Sequence, residues 1–274
     1  FDGTDSFGYT ITDDQGDEDS ATVTITVNPP RPPILLVDDD QGATFERFYT
    51  SALTANNLQH DVWTVSSAGL PTTANLADYS AVIWQTGNNF SASDGGFSTS
   101  EQTAVAAYLD GGGRMFIAGQ DILYNSVTSD FLTNYLKVSQ FTNDVQGLTD
   151  FVGVSGNAIG DGLNLAFQLP SDFSTDWSDT LAPTADAEGV FYRNSVNSNA
   201  QPFNTVAYSG SDFRVVFMAA PFEGINSSAA DPNNQKSVLG RIMNYLLGEV
   251  NQPPTATNNS YSTNEDTVYT TMCE

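Results

Sequence analysis

The sequence predicts an α/β fold, a mostly parallel sheet with helices on both faces, flanked at each end by short β-strand segments. Three observations predict it. Continuous apolar runs, Ile34-Leu35-Leu36-Val37, Ala81-Val82-Ile83-Trp84 and Met115-Phe116-Ile117-Ala118, read as strands covered on both faces. Segments with apolar residues at helical spacing separate those runs. Prolines cluster on either side of this zone, in Asn28-Pro29-Pro30-Arg31-Pro32-Pro33 and Asn251-Gln252-Pro253-Pro254, and mark stiff extended connectors.

Taken in order, residues 1–28 come first. Phe7, Tyr9 and Ile11 alternate with polar residues, and Ala21, Val23, Ile25 and Val27 alternate with threonines. That period of two predicts half-buried antiparallel strands. Asp13-Asp14-Gln15-Gly16-Asp17-Glu18-Asp19 between them is a turn heavy in carboxylates. Two strands cannot bury a face alone, so this zone needs partner strands. Residues 29–33 are a linker and 34–248 form the α/β domain. Within it, Phe45, Phe48, Tyr49, Ala52 and Leu53 recur at helical spacing, and Val62–Val65 gives a second strand. Ser98-x-x-Glu101 predicts a capping box for a helix that stops at Gly111-Gly112-Gly113. Val215-Val216-Phe217-Met218 is a late buried strand, and Val238, Leu239, Ile242, Met243 and Leu246 form the stripe of a closing helix. Residues 249–254 are a second linker. Residues 255–274 are polar and strand-like, with Tyr261 and Val268 as apolar anchors.

Composition narrows the function. Eight lysines and arginines stand against 33 aspartates and glutamates, a net charge of −25 over 274 residues. Such a surface repels nucleic acid and anionic lipid and attracts divalent cations. It suits a secreted protein of a marine or salt-adapted source. No run of about 18 apolar residues is present, so no membrane insertion is expected. Cys273 is the one cysteine, so an internal disulfide is excluded and the terminal thiol reads as passive. No signal peptide opens the chain, as expected of a mature product or an excerpt.

The segment Gly3-Thr4-Asp5-Ser6-Phe7-Gly8-Tyr9-Thr10-Ile11, with Ala21–Val27, resembles the closing strands of the cadherin-like, immunoglobulin-like β-sandwich repeats of bacterial surface proteins. Asn251-Gln252-Pro253-Pro254-Thr255-Ala256, with Tyr261 and Asn264-Glu265-Asp266-Thr267, resembles the opening of the next repeat. A closing half thus precedes an opening half. The resemblance implies an extracellular or cell-surface location. In the middle zone, four stretches resemble the class I glutamine-amidotransferase-like, flavodoxin-like domains of secreted bacterial proteins. They are Ile34 to Asp40, Tyr79 to Trp84 with Gly87, Ile117-Ala118-Gly119-Gln120-Asp121-Ile122, and Arg214–Phe217 leading into Pro221-Phe222-Glu223-Gly224. In catalytic members of that superfamily a cysteine nucleophile occupies the turn where Gln120 stands, and a histidine and a glutamate follow. An amide offers no nucleophile. The one histidine, His60, precedes the second strand. The resemblance therefore implies a chain that is not an enzyme.

Ligands of open α/β sheets bind outside the C-terminal strand ends. Asp38, Asp39 and Asp40 follow the first strand, Gln120 and Asp121 the fourth, and Glu223 the last, making a degenerate cleft able to hold a hard cation. The alternative is structural: an aspartate caps the helix after strand one and Glu223 bonds backbone amides. Asp13, Asp14, Asp17 and Asp19 are candidate calcium ligands, because cadherin-like repeats use acidic loops for that ion. A solvated turn is the other reading, and EF-hand spacing is lacking. Calcium is the one cofactor considered. Trp63, Trp84 and Trp177 suggest a sugar platform, against a core role for the first two.

The expected function is a structural or adhesive module. Its partners are neighbouring repeats or copies of itself, joined by β-strand pairing into a head-to-tail filament. An accessory domain of a secreted peptidase-type hydrolase and a glycan- or peptide-binding module are the alternatives.

Overall fold

A computed structural model describes residues 3–27, 32–90, 96–124, 127–194 and 202–248. The N-terminal alternation produces a hairpin: β1 (Gly3–Thr12) and β2 (Glu18–Val27) pair antiparallel from Gly3↔Val27 to Thr12↔Glu18. This register sets Phe7 opposite Val23, Tyr9 opposite Ala21 and Asp5 opposite Ile25. Side chains alternate along a strand, so Phe7, Tyr9, Ile11, Ala21, Val23 and Ile25 share one face, while serines and threonines dominate the other. The apolar face has no cover among the described residues: Phe7 is 55%, Ile11 60% and Ile25 49% exposed. The two strands form a sheet of their own. The antiparallel pairing matches the expectation, but residues 5–25 are exposed on both faces where half-buried strands were expected. Residues 255–274, read as the complementary half-repeat, lie outside the described residues, as does Cys273.

The α/β body runs β3 (Ile34–Asp38), α1 (Glu46–Ala55), β4 (His60–Thr64), α2 (Val65–Ala68), α3 (Thr73–Ala77), β5 (Ala81–Gln85) and α4 (Thr99–Asp110). There follow β6 (Arg114–Ala118), α5 (Ser129–Asn134), β7 (Val138–Thr142), β8 (Asp150–Gly153) and β9 (Asn164–Ala166). It ends with β10 (Thr180–Pro183), β11 (Glu188–Arg193), β12 (Phe203–Ser209), β13 (Arg214–Met218) and α6 (Gln235–Leu247). Five strands, β4-β3-β5-β6-β13, lie side by side and parallel. Numbered along the chain they run 2-1-3-4-5, the flavodoxin-like order. Beyond β13 the sheet continues antiparallel through β12, β11, β8 and β9, with β10 and β7 attached at β12.

Strand alternation divides the core between two faces. Ile34, Leu36, Ile83 and Phe116 pack under α1 and α6. Leu35, Val37, Val82, Trp84, Met115 and Ile117 pack under α3, α4 and α5. The predicted capping box is present: the Glu101 amide donates to Ser98 Oγ and the Ser98 amide to Glu101. The left-handed residue after α4 is Gly112, at φ +92°. β4 is the sheet edge, so Val62 is exposed and Trp63 only half-buried, its indole N–H donating to Gly69 O at 2.8 Å. Among the described residues no helix is long and apolar enough to cross a membrane.

Candidate functional site

β3 ends in three consecutive aspartates, and alternation carries past the end of the strand. Asp39 turns to the α4 side, where its Oδ2 accepts the Trp84 indole N–H at 3.1 Å. Asp38 and Asp40 turn to the α1 side. The Gln85 amide, at the end of β5 and in register with Asp38, donates to Asp38 Oδ1 at 2.7 Å and to Asp40 Oδ2 at 3.4 Å. Asp40 also accepts the amides of Gly42 and Phe45, each at 3.0 Å. It thereby caps the turn into α1, whose own cap residue Phe45 has no acceptor to offer. Glu46 opens that helix, and one oxygen each from Asp38, Asp40 and Glu46 lie within 4.8 Å of one another.

Glu223 follows β13 on the same side of the sheet, beside Tyr49 and Phe222 of the α1-side core. It is buried, and neither carboxylate oxygen has a hydrogen-bond partner. Its own amide and the Tyr49 hydroxyl come near enough to lower its pKa without reaching hydrogen-bond geometry; burial dominates and pushes it up to about 8. The backbone-bonding role considered for Glu223 is therefore not adopted, whereas Asp40 does take the capping role. Burial, then the charges of Asp40 and Glu46, push Asp38 up to about 7. Burial and the Glu101 charge push Asp39 up to about 8.

The turn after β6 is built around Gly119. A Cβ there would stand 1.9 Å from Thr86 Oγ1, so any larger residue would have to displace the buried Thr86 side chain. Gln120, in the nucleophile position of the resemblance, is 3% exposed, and its Oε1 accepts the Trp177 amide at 3.2 Å. His60 opens β4 opposite Ile34, at the far end of the sheet from Gln120.

Asp121 belongs to a second acidic group with Asp144, Asp176 and Asp179. Burial and then the Asp144 charge push Asp121 up to about 7, and burial pushes Asp179 up to about 8. Asp179 Oδ1 accepts the Asp144 amide at 3.0 Å, while Asp176 accepts the Leu148 amide at 2.7 Å and pairs with Arg193 at 3.7 Å. A pocket of about 190 Å³ opens here, lined by Phe90, Asp121, Tyr124, Asp144 and Trp177. Phe90 and Tyr124 meet edge-on at 5.1 Å. Of the acids at the strand ends, Asp38, Asp40 and Glu223 lie on the α1 side, and Asp121 lies with acids that the loops after β7 and β9 bring in.

The hairpin turn does not gather ligands in this way. Asp13 Oδ1 accepts the amides of Gln15 and Asp17, each at 2.9 Å, and Asp19 accepts that of Ser20. Asp13, Asp14, Asp17 and Asp19 do not converge; among the described residues the one group of three convergent ligands is Asp38, Asp40 and Glu46.

No family model matches the chain, and no curated protein matches it in sequence. Solved structures do resemble it. The N-terminal domain of mmIFT52 superposes with a TM-score of 0.50 at 14% identity, over 78% of this chain and 96% of that one. A protein described as a GMP synthase component, from Thermoplasma acidophilum, gives 0.48 at 9% identity over 78% and 93%. A ThuA-like protein from Bacteroides uniformis gives 0.47 at 12% over 80% and 93%. At 14% identity the likeness to the first of these is one of fold alone.

Proposed function

We propose that this chain is a non-catalytic structural or adhesive module of a secreted or cell-surface protein, assembled by strand pairing at its hairpin. The carrying observation is the uncovered apolar face of β1 and β2. An exposed two-stranded hairpin with one apolar face is marginal in water and presents free strand edges to a partner. Residues 255–274 of a second copy are the proposed partner, because they combine strand-like polarity with the anchors Tyr261 and Val268. Gln120 at the turn after β6 and His60 at the opposite sheet end support a body without its relatives' chemistry. The charge of −25 supports a salt-rich exterior.

The test is sedimentation velocity over a wide concentration range. The chain is expected to associate with rising concentration, and Phe7→Lys/Val23→Glu to remain monomeric. These two residues face each other, so opposite charges keep the hairpin paired while removing its apolar face. A wild-type chain that stays monomeric throughout would sink the proposal.

The aromatic pocket favours a second reading, a glycan- or peptide-binding module. Phe90, 48% exposed, with Tyr124 and Trp177, can stack on a sugar ring while Asp121 and Asp144 accept hydroxyls. Saturable binding on a glycan array, lost in Trp177→Ala, would support it; an array with no saturable binder would remove it.

A further inference from the structure

The geometry points to a divalent-cation site at the C-terminal ends of β3 and β5, in which Asp38, Asp40 and Glu46 hold a calcium-sized ion and the Gln85 amide oxygen turns in as a fourth ligand.

The first ground is convergence. Carboxylate oxygens from all three acids lie within 4.8 Å of one another, and one ion with bonds of about 2.4 Å spans that separation. The second is an imbalance of donors and acceptors, independent of the clustering. Gln85 is fully buried, and its amide lies against Asp38 and Asp40. Its Nε2 serves both, yet its Oε1 has no partner. Glu46 Oε2 and both oxygens of buried Glu223 are likewise unpartnered. Buried acceptors almost always find a donor, so the unmatched oxygens of Gln85 and Glu46, beside the carboxylates of Asp38 and Asp40, call for positive charge. The Tyr49 hydroxyl and the Arg47 charge act on Glu223, but no protein donor reaches Gln85 Oε1 or Glu46 Oε2. Arg47, next along α1 from Glu46, spends its guanidinium on Thr44 and on Asp172 at 3.1 Å, facing solvent.

The third ground is position. Strand order reverses between β3 and β5, and open α/β sheets bind ligands in the crevice at that point. The amide of Gln85 can rotate by half a turn to exchange its nitrogen for its oxygen at little steric cost. Glu223, which feels the Asp40 charge, lines a cavity of about 510 Å³ together with Arg47, Phe48 and Asp172. All-oxygen ligation by carboxylates and an amide selects a hard cation. Direct ligation by several side chains favours calcium over magnesium, which keeps most of its water.

The test is calorimetric titration of the 274-residue chain with calcium chloride, paired with terbium emission excited through tryptophan. Trp84 donates to Asp39, the neighbour of two ligands, and is the proposed sensitiser. One saturable site is expected, with terbium emission quenched by added calcium. Glu46→Gln and Asp38→Asn should each weaken calcium roughly tenfold or more. Trp84→Phe should abolish the emission and retain the heat. Asp13→Asn/Asp17→Asn should change neither. Absence of saturable heat overturns the site, as does binding that survives both Glu46→Gln and Asp38→Asn or disappears with the hairpin-turn variant. Glu46 lies partly exposed in the first turn of α1, so its variant keeps the fold even if Asp38→Asn does not.

Discussion

Truncating Trp84 to alanine is expected to lower the unfolding free energy by about 3–5 kcal/mol. Trp84 is fully buried near the C-terminal end of β5, edge-on to Phe97 at 5.6 Å, with its indole N–H bonded to Asp39. Alanine removes the ring, leaves a cavity between sheet and α4, and strips a buried carboxyl of its donor; the last two effects add to the lost transfer energy. Trp84→Phe keeps most of the volume and should cost less. The check is the urea midpoint at unchanged slope. A loss for Trp84→Ala under about 1 kcal/mol would mean that β5 is not packed between two helical layers.

Stability is expected to fall as pH rises from about 4 to about 8, and Asp179→Asn to remove a part of that fall. Asp179 is unexposed, with a native pKa near 8 against an ordinary value of 3.8. Between those values the native state holds a proton that the unfolded chain releases, so the unfolded state binds fewer protons and unfolding grows easier with pH. The contribution is complete below about pH 4 and lost as pH passes about 8. Asp38 and Asp121, near 7, and Asp39 and Glu223, near 8, act with the same sign. Each whole pH unit of separation is worth about 1.4 kcal/mol at most. Asparagine keeps the oxygen that accepts the Asp144 amide and carries no charge to bury. The variant should match the parent near about pH 4 and exceed it by about 2–5 kcal/mol near about pH 8.5. Thermal melts across that range check it; a flat parent profile, or a variant that tracks the parent, would refute the buried-acid assignment.

The parallel half of the fold was legible because its signals are local. Fully buried strands must be continuously apolar, and Ser98 with Glu101 announces its own helix. The antiparallel half was not. β7 to β11 are three to six residues long, and β10 and β11 carry register shifts that break a period of two. At the candidate sites, Asp38 to Asp40 stood out as acids at a strand end. Their division between two faces also followed from alternation and was missed. Gln85 occupies in β5 the place that Asp38 occupies in β3, so its role was open to the same reasoning. Glu46 looked like an ordinary first-turn glutamate. Asp144, Asp176 and Asp179 lie in loops without periodicity, where only tertiary structure brings them to Asp121. The apolar hairpin face was legible residue by residue; what covers it was not, because a strand pattern does not name its partner.

Hydrogen exchange at the amides of residues 5–25, followed as chain concentration rises, probes that missing partner most directly. Strand addition supplies new backbone hydrogen bonds at the hairpin edges, so protection there should climb with concentration while that of β3, β5 and β6 stays constant. Hairpin amides that exchange equally fast at every concentration, beside a fully protected α/β body, would contradict assembly through this face.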